Sequence, residues 1–259
     1  MWKAEQDKAL SEYNYRGWKK LRAMEVSLNQ CLMFDSIWGK RGRVIVISND
    51  AKGCYDHITH IVAYMCMCQL GALKATLWGI IEAIQSLKHY IRTAFGDSKW
   101  YYGADPNKPP LQGLLQGNAM APPGWLAVST VITKAMKQEG FGYDTWSMTG
   151  NRAITSVAFK FVDDSDLAIS DDSVDAETLI LKAQRMLHTW EGLLEATGGA
   201  LAPHKSYWYL VDVVYCNGAW QYKTKDETPG EMFLWNGGDH YFINRLDVWH
   251  AKEVLGIQV

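Results

Sequence analysis

Apolar and polar positions change their period several times along the chain, and each change predicts an element. Residues 3–33 place Leu10, Trp18, Leu21 and Val26 among polar neighbours at helical spacing, and Gly39 to Gly42 ends the pattern. Val44 to Ile47 is an unbroken apolar run between Arg43 and Ser48, which predicts a short strand buried on both faces. Asp56 to Gln69 and Leu73 to Phe95 predict two further helices, the second of them long. Gly96 to Gly117 holds three of the seven prolines and predicts a loop or irregular hairpin. Asn118 is a suitable cap, with Pro122 and Pro123 in the first turn, for a helix through Ala127, Ile132 and Met136 that Gly140 stops. Val157, Phe159 and Phe161 alternate along a strand. The polar break Asp163-Asp164-Ser165 and then Leu167-Ala168-Ile169 predict a β-hairpin with acids at its turn. Ala176 to Thr197 is amphipathic at helical period and closed by Gly198-Gly199, Tyr207 to Tyr215 reads as a strand, and 216–259 mix turns with short strands. This order predicts an α+β fold, a mainly antiparallel sheet with helices packed on one face.

Composition narrows the class. Hydrophobic residues make up 48% and charged residues 21%, as in ordinary globular domains. The five cysteines (Cys31, Cys54, Cys66, Cys68, Cys216) show no CxxC spacing and there is no leader-like start, so free thiols and an intracellular, nuclear or cytoplasmic setting are expected. No apolar run approaches the ~20 residues of a membrane helix. The net charge of −2 conceals an uneven distribution: residues 1–43 carry nine Lys/Arg against five Asp/Glu, while Asp163 to Glu177 holds seven acids and no base. A basic arm beside an acidic centre suits phosphate contacts at one place and cation binding at another.

The acids at strand ends carry the chemistry. Asp50 ends the buried strand, and Asp163 and Asp164 sit at the turn of the hairpin. If those strands are neighbours, three carboxylates converge and a cation must sit between them. Oxygen-only ligands favour Mg²⁺ or Mn²⁺, and two such ions ~3.5–4 Å apart are a standard device for in-line phosphoryl transfer. Asp166, Asp171, Asp172 and Asp175 read as solvated loop or helix-start acids, and Asp56 as the cap of the helix after it. The seven histidines form no metal spacing, and no Gly-Lys-Ser/Thr follows the glycines at 113 and 117.

Taken in order, these segments resemble reverse transcriptases of non-LTR retroelements and group II introns. Asp50-Ala51-Lys52-Gly53-Cys54-Tyr55-Asp56 is similar to their first palm motif, Gln116 to Pro122 to their QGxxxSP motif with Ala121 for Ser, and Phe161-Val162-Asp163-Asp164 to [FY]xDD. Gly198 to Lys205 before an apolar strand resembles the motif supplying a lysine near the triphosphate, and Leu255-Gly256 the turn of the primer grip. The resemblance spans residues 43–259. It implies a polymerase palm with partial fingers: an N-terminal helical segment over 1–42, a fingers-derived insertion around 70–112, and a palm ending at the primer-grip hairpin.

The resemblance further implies RNA-directed DNA polymerase activity, with two Mg²⁺ (or Mn²⁺) ions, an RNA template, a DNA or RNA primer and a dNTP. Asp50, Asp163 and the carbonyl of Ala51 would ligate metal, with Asp164 either a ligand or an orienting acid beside it. Tyr55 would exclude a 2′-hydroxyl, Gln116 and Gly117 would lie along the template–nucleotide pair, and Lys205 would neutralise or protonate departing pyrophosphate. Lys40, Arg41 and Arg43 are the cations available before Asp50 to grip a triphosphate. The chain ends at the expected primer grip, as a segment of a longer polyprotein would. A catalytically incomplete nucleic-acid-binding module is the alternative. An RNA-directed RNA polymerase fits less well, because it usually shows Gly before the paired acids and lacks the aromatic at Tyr55.

Overall fold

A computed structural model describes residues 9–10, 23–105, 112–115, 117–146, 153–161, 164–236, 238–250, 253–254 and 257–258. Its elements run α1 (Ala23–Lys40), β1 (Val44–Asp50), α2 (Cys54–His57), α3 (His60–Gln69), α4 (Lys74–Gln85), β2 (His89–Thr93), β3 (Gly96–Tyr102) and α5 (Ala121–Gln138). There follow β4 (Tyr143–Trp146), β5 (Ala153–Ser156), β6 (Ala158–Phe161), β7 (Asp164–Ile169), α6 (Ala176–Ala196) and a 3₁₀ turn (Pro203–Lys205). The remainder is strand: β8 (Tyr207–Val211), β9 (Val213–Cys216), β10 (Ala219–Tyr222), β11 (Phe233–Asn236), β12 (Asp239–Phe242), β13 (Asn244–Arg245), β14 (Glu253–Val254) and β15 (Ile257–Gln258).

The central sheet has the order β13-β8-β1-β7-β6, and β1 lies in its middle, antiparallel to both neighbours. Only the short β13 runs parallel to its partner, β8. The apolar run Val44–Ile47 is buried on both faces, as its lack of alternation predicts. On one face Ile45, Ile47, Leu167 and Leu210 pack with Ala127, Val128 and Ile132 of α5 and with Leu179, Met186 and Trp190 of α6. On the other, Val44, Val46, Phe159 and Ala168 pack under Val26, Met33 and Ile37 of α1. The fold is mixed α and β as expected, but helices cover both faces rather than one, because α1 presents an apolar stripe at i, i+7, i+11 spacing that needs its own partner.

One element boundary also differs from the pattern. The helix expected over Leu73–Phe95 stops at Gln85, where the Ser86 N–H donates to the Glu82 carbonyl and the Leu87 N–H to the Ile84 carbonyl. Its core contacts end with Leu77, Ile81 and Ile84. Beyond Lys88 no further core position is offered, and the aromatic Tyr90 and β-branched Thr93 pair with β3 instead, with Ile91 at a shift in register. The strand expected over Tyr207–Tyr215 likewise breaks at the buried Asp212, which Arg43 and Lys223 hold by ion pairs of 3.5 and 2.8 Å. Lys160 on β6 is fully buried; its ammonium donates to the Ser129 carbonyl at 2.9 Å and to the Thr133 hydroxyl, which ties β6 to α5.

Candidate active site

Antiparallel pairing of β1 with β7 sets Asp50 directly opposite Asp164, Asn49 opposite Ser165 and Ser48 opposite Asp166. Opposed residues share one face of a sheet, with Cβ atoms about 4.5–5.5 Å apart. Two carboxylates therefore stand side by side at the sheet rim, Asp50 half-buried and Asp164 exposed. Across the β6–β7 hairpin Phe161 pairs with Asp164. Val162 and Asp163, between them in the sequence, lie outside the described residues, so the third expected carboxylate has no described position.

The segment after α6 is stitched to the end of β1. Lys52 donates its N–H to the Ala200 carbonyl at 2.8 Å, and Ala202 donates to the Asp50 carbonyl at 3.0 Å. Ala51 bridges Leu201 between these bonds, and its own carbonyl serves in neither. The following 3₁₀ turn delivers Lys205, whose Nζ lies 2.7 Å from Asp50 Oδ2. The Lys205 side chain is 62% exposed, so the pair adds little stability. Its value is positional, since a cation already rests on the carboxylate edge where the acids crowd. The described donors there are carboxylate oxygens, the set that suits a hard divalent ion. Among the described residues no group of three or more His, Cys, Asp or Glu could hold a metal, so a site of that size would need Asp163 to complete it.

Tyr55 lies in α2, partly buried against the core, and its carbonyl accepts the Leu114 N–H at 2.6 Å. Gly113 makes this approach possible: its φ is +92°, and a Cβ there would come within 2.3 Å of the Asp56 carbonyl oxygen. His60 Nε2 hydrogen-bonds the Gly113 carbonyl at 2.6 Å, while Gln85 Nε2 holds the other ring nitrogen at 3.0 Å. The loop leading into α5 is thereby fixed against the helix that carries Tyr55. Gly117 has φ +90° and nothing within 4 Å of where a Cβ would stand, so it presents open backbone beyond that loop. Gln116 lies outside the described residues. So do Leu255 and Gly256, although their flanks pair as β14 and β15, Val254 opposite Ile257.

Several expectations need correcting. Asp166 is not a solvated acid: it is buried on β7, on the same face as Asp50 and Asp164, and accepts a hydrogen bond from Gln30 Nε2 of α1. Burial pushes its carboxyl up, and hydrogen bonds from Ser48 and Gln30 partly offset this. Gln30 occupies a polar place in the α1 stripe between Val26 and Met33, facing the acid. Tyr207, opposite Ser48 on β8, is also held above its ordinary value, first by burial and then by the charges of Asp166 and Asp164. The sequence signal for this row was the i, i+2 alternation Asp164–Asp166 beside Ser48–Asp50. Asp56 caps neither helix, since Gly53 and Thr59 occupy those positions.

Lys40, Arg41 and Arg43 lie at the far end of β1, about 20 Å from Asp50 for a seven-residue strand. There Lys40 pairs with Asp172 at 3.0 Å and Arg43 with Asp212. Asp175 caps α6 by accepting the Thr178 N–H at 2.7 Å, as a helix-start acid should. Asp171 is held at about 2, chiefly by a hydrogen bond from Lys182 and then by Ser173.

No family model and no curated protein sequence matches the chain. Among solved structures, telomerase from Candida albicans in complex with a TWJ fragment of telomeric RNA is similar with a TM-score of 0.52 and 12% identity over 84% of this chain. Apo telomerase from Candida tropicalis, truncated from its C-terminal domain, gives a TM-score of 0.50 and 13% identity over 76% of this chain. The chain spans about a third of either telomerase, 35% and 36% of their lengths. At these identities the likeness is one of fold.

Proposed function

We propose that the chain is the palm of an RNA-directed DNA polymerase that extends a primer on an RNA template. The observation carrying this reading is the direct opposition of Asp50 and Asp164 at the sheet rim, where Asp164 opens β7 opposite Phe161 of β6. The fold likeness to telomerase, a reverse-transcriptase-related polymerase, supports it. Asp50, Asp163, Asp164 and the Ala51 carbonyl would hold two Mg²⁺ or Mn²⁺ ions. When bound, these would activate the primer 3′-hydroxyl and stabilise charge on the α-phosphate and the leaving group.

The chain's own residues have separable tasks. Lys205 sits where it can exchange Asp50 for a negatively charged triphosphate and neutralise or protonate the departing pyrophosphate. Tyr55, on the helix four residues beyond Ala51, would lie under the sugar and reject a 2′-hydroxyl. Gln116 and Gly117 would line the template–nucleotide pair, and nothing lies within 4 Å of where a Cβ on Gly117 would stand. Leu255 and Gly256 would grip the primer. On an RNA template with Mg²⁺, Asp163→Asn is expected to lower dNTP incorporation at least about a hundredfold, because several kcal/mol of charge stabilisation is withdrawn. Incorporation at the wild-type rate would overturn the reading. Tyr55→Ala is expected to admit rNTPs, which separates it from an RNA-directed RNA polymerase.

The Lys205–Asp50 ion pair favours one second reading, a nucleic-acid-binding module without turnover, in which the lysine permanently neutralises the acid. That module would bind a primer–template duplex equally with and without EDTA and never extend it.

A further inference from the structure

The β2–β3 hairpin forms a two-stranded sheet of its own, and among the described residues its strands pair only with each other. It nevertheless exposes Tyr90, Ile91, Phe95, Trp100, Tyr101 and Tyr102, with Trp100 86% accessible. A lone two-stranded ribbon is marginal in water, and so concentrated an apolar surface marks a place where something else binds. Charge indicates what. From Lys88 to Tyr102 there are three cations, Lys88, Arg92 and Lys99, against the single acid Asp97. Arg92 neutralises that acid through two bonds of 2.6 and 3.0 Å. Of the two remaining cations, Lys88 lies on the aromatic face. Tyr90 and Tyr101 are register partners with ring centroids 5.8 Å apart, and Lys88 Nζ lies 4.5 Å from the Tyr101 ring centre. Lys99 lies in the bulged stretch 98–100, where the register of β2 with β3 shifts.

We propose that this hairpin is a stacking surface for single-stranded nucleic acid, taking bases on Tyr90 and Tyr101 and a phosphate on Lys88. Stacking on such rings tolerates any base, so the surface would bind without sequence preference. It needs neither metal nor the Asp50–Asp164 pair, and therefore goes beyond the polymerase reading and can fail separately from it.

The test is anisotropy of a short labelled oligo-dT or oligo-U titrated with the full chain in EDTA. Tyr90→Ala with Tyr101→Ala is expected to weaken binding at least about tenfold, given the worth of one stacked base. Tyr101→Phe keeps a ring and is expected to bind as the wild type, while Tyr101→Leu keeps an apolar side chain and is expected to bind as weakly as Tyr101→Ala. Lys88→Gln should reduce the salt slope by about 0.7. Asp50→Asn should leave binding intact, whatever it does to extension. Wild-type affinity in the double alanine variant would overturn the proposal. So would wild-type affinity in Tyr101→Leu, or a double variant that loses self-association while holding the oligonucleotide unchanged.

Discussion

The two halves of the β1–β7 ladder have the same backbone pairing and opposite chemistry. From Val44 to Ile47, β1 is apolar and sealed between α1 and the α5–α6 layer, and its β7 partners Leu167, Ala168 and Ile169 are buried as well. From Ser48 to Asp50 the same strand turns polar, and so does β7 opposite, through Asp164 to Asp166. The apolar half locks strand register, because a one-residue slip would send every side chain to the wrong face. That register is what aligns the acids in the polar half. Apolar packing thus sets a geometry that three neighbouring carboxylates could not hold by themselves, since they repel.

The largest effect is expected from breaking the apolar half. Ile47→Ala should cost about 2–5 kcal/mol, the range for truncating a fully buried Ile, and urea unfolding measures it. If the acids rather than the packing set the register, that cost would be small.

A somewhat smaller effect lies one strand away, at Lys160. Burial lowers its ammonium from the ordinary 10.5 to about 7. Between those two values the unfolded chain binds more protons than the folded one, so this lysine makes stability rise with pH from about 7 to 10.5. Lys160→Met should remove that rise and be more stable at pH 7 by on the order of 3 kcal/mol. Melting temperatures of both proteins from pH 6 to pH 10 give the comparison.

The smallest expected effect falls on the buried acid of the polar half. Asp166 has its carboxyl raised by burial, so its contribution to stability is present at acid pH and lost as pH rises through the folded value. Asp166→Asn keeps an acceptor for Gln30 and should stabilise the fold by about 1 kcal/mol at pH 8, with the advantage vanishing near pH 3. Urea midpoints at the two pH values check the sign.

What the sequence disclosed follows the same division. Val44 to Ile47 had one structural meaning, since a short unbroken apolar run fits a strand covered on both faces. Asp50 and Asp164 were legible as strand-end groups, because a strand leaving its sheet exposes its rim. Asp166 was not legible: an acid among acids looks solvated unless its strand face is known to lie under a helix, and nothing local to Asp166 announces Gln30 of α1. The hairpin at His89–Tyr102 was hidden for a related reason. Tyr90 and Ile91 satisfy a helical apolar period as readily as a strand, and the absence of a core beyond Ile84 is a tertiary fact.

The proposed function makes the polar half of the ladder a site rather than a solvated edge. The most direct test compares Asp50→Asn with Asp166→Asn, on the same face of the sheet, in Mg²⁺-dependent dNTP incorporation on an RNA template. Asp50→Asn is expected to abolish incorporation while Asp166→Asn retains most of it; equal activity in the two variants would contradict the assignment of the rim carboxylates to catalysis.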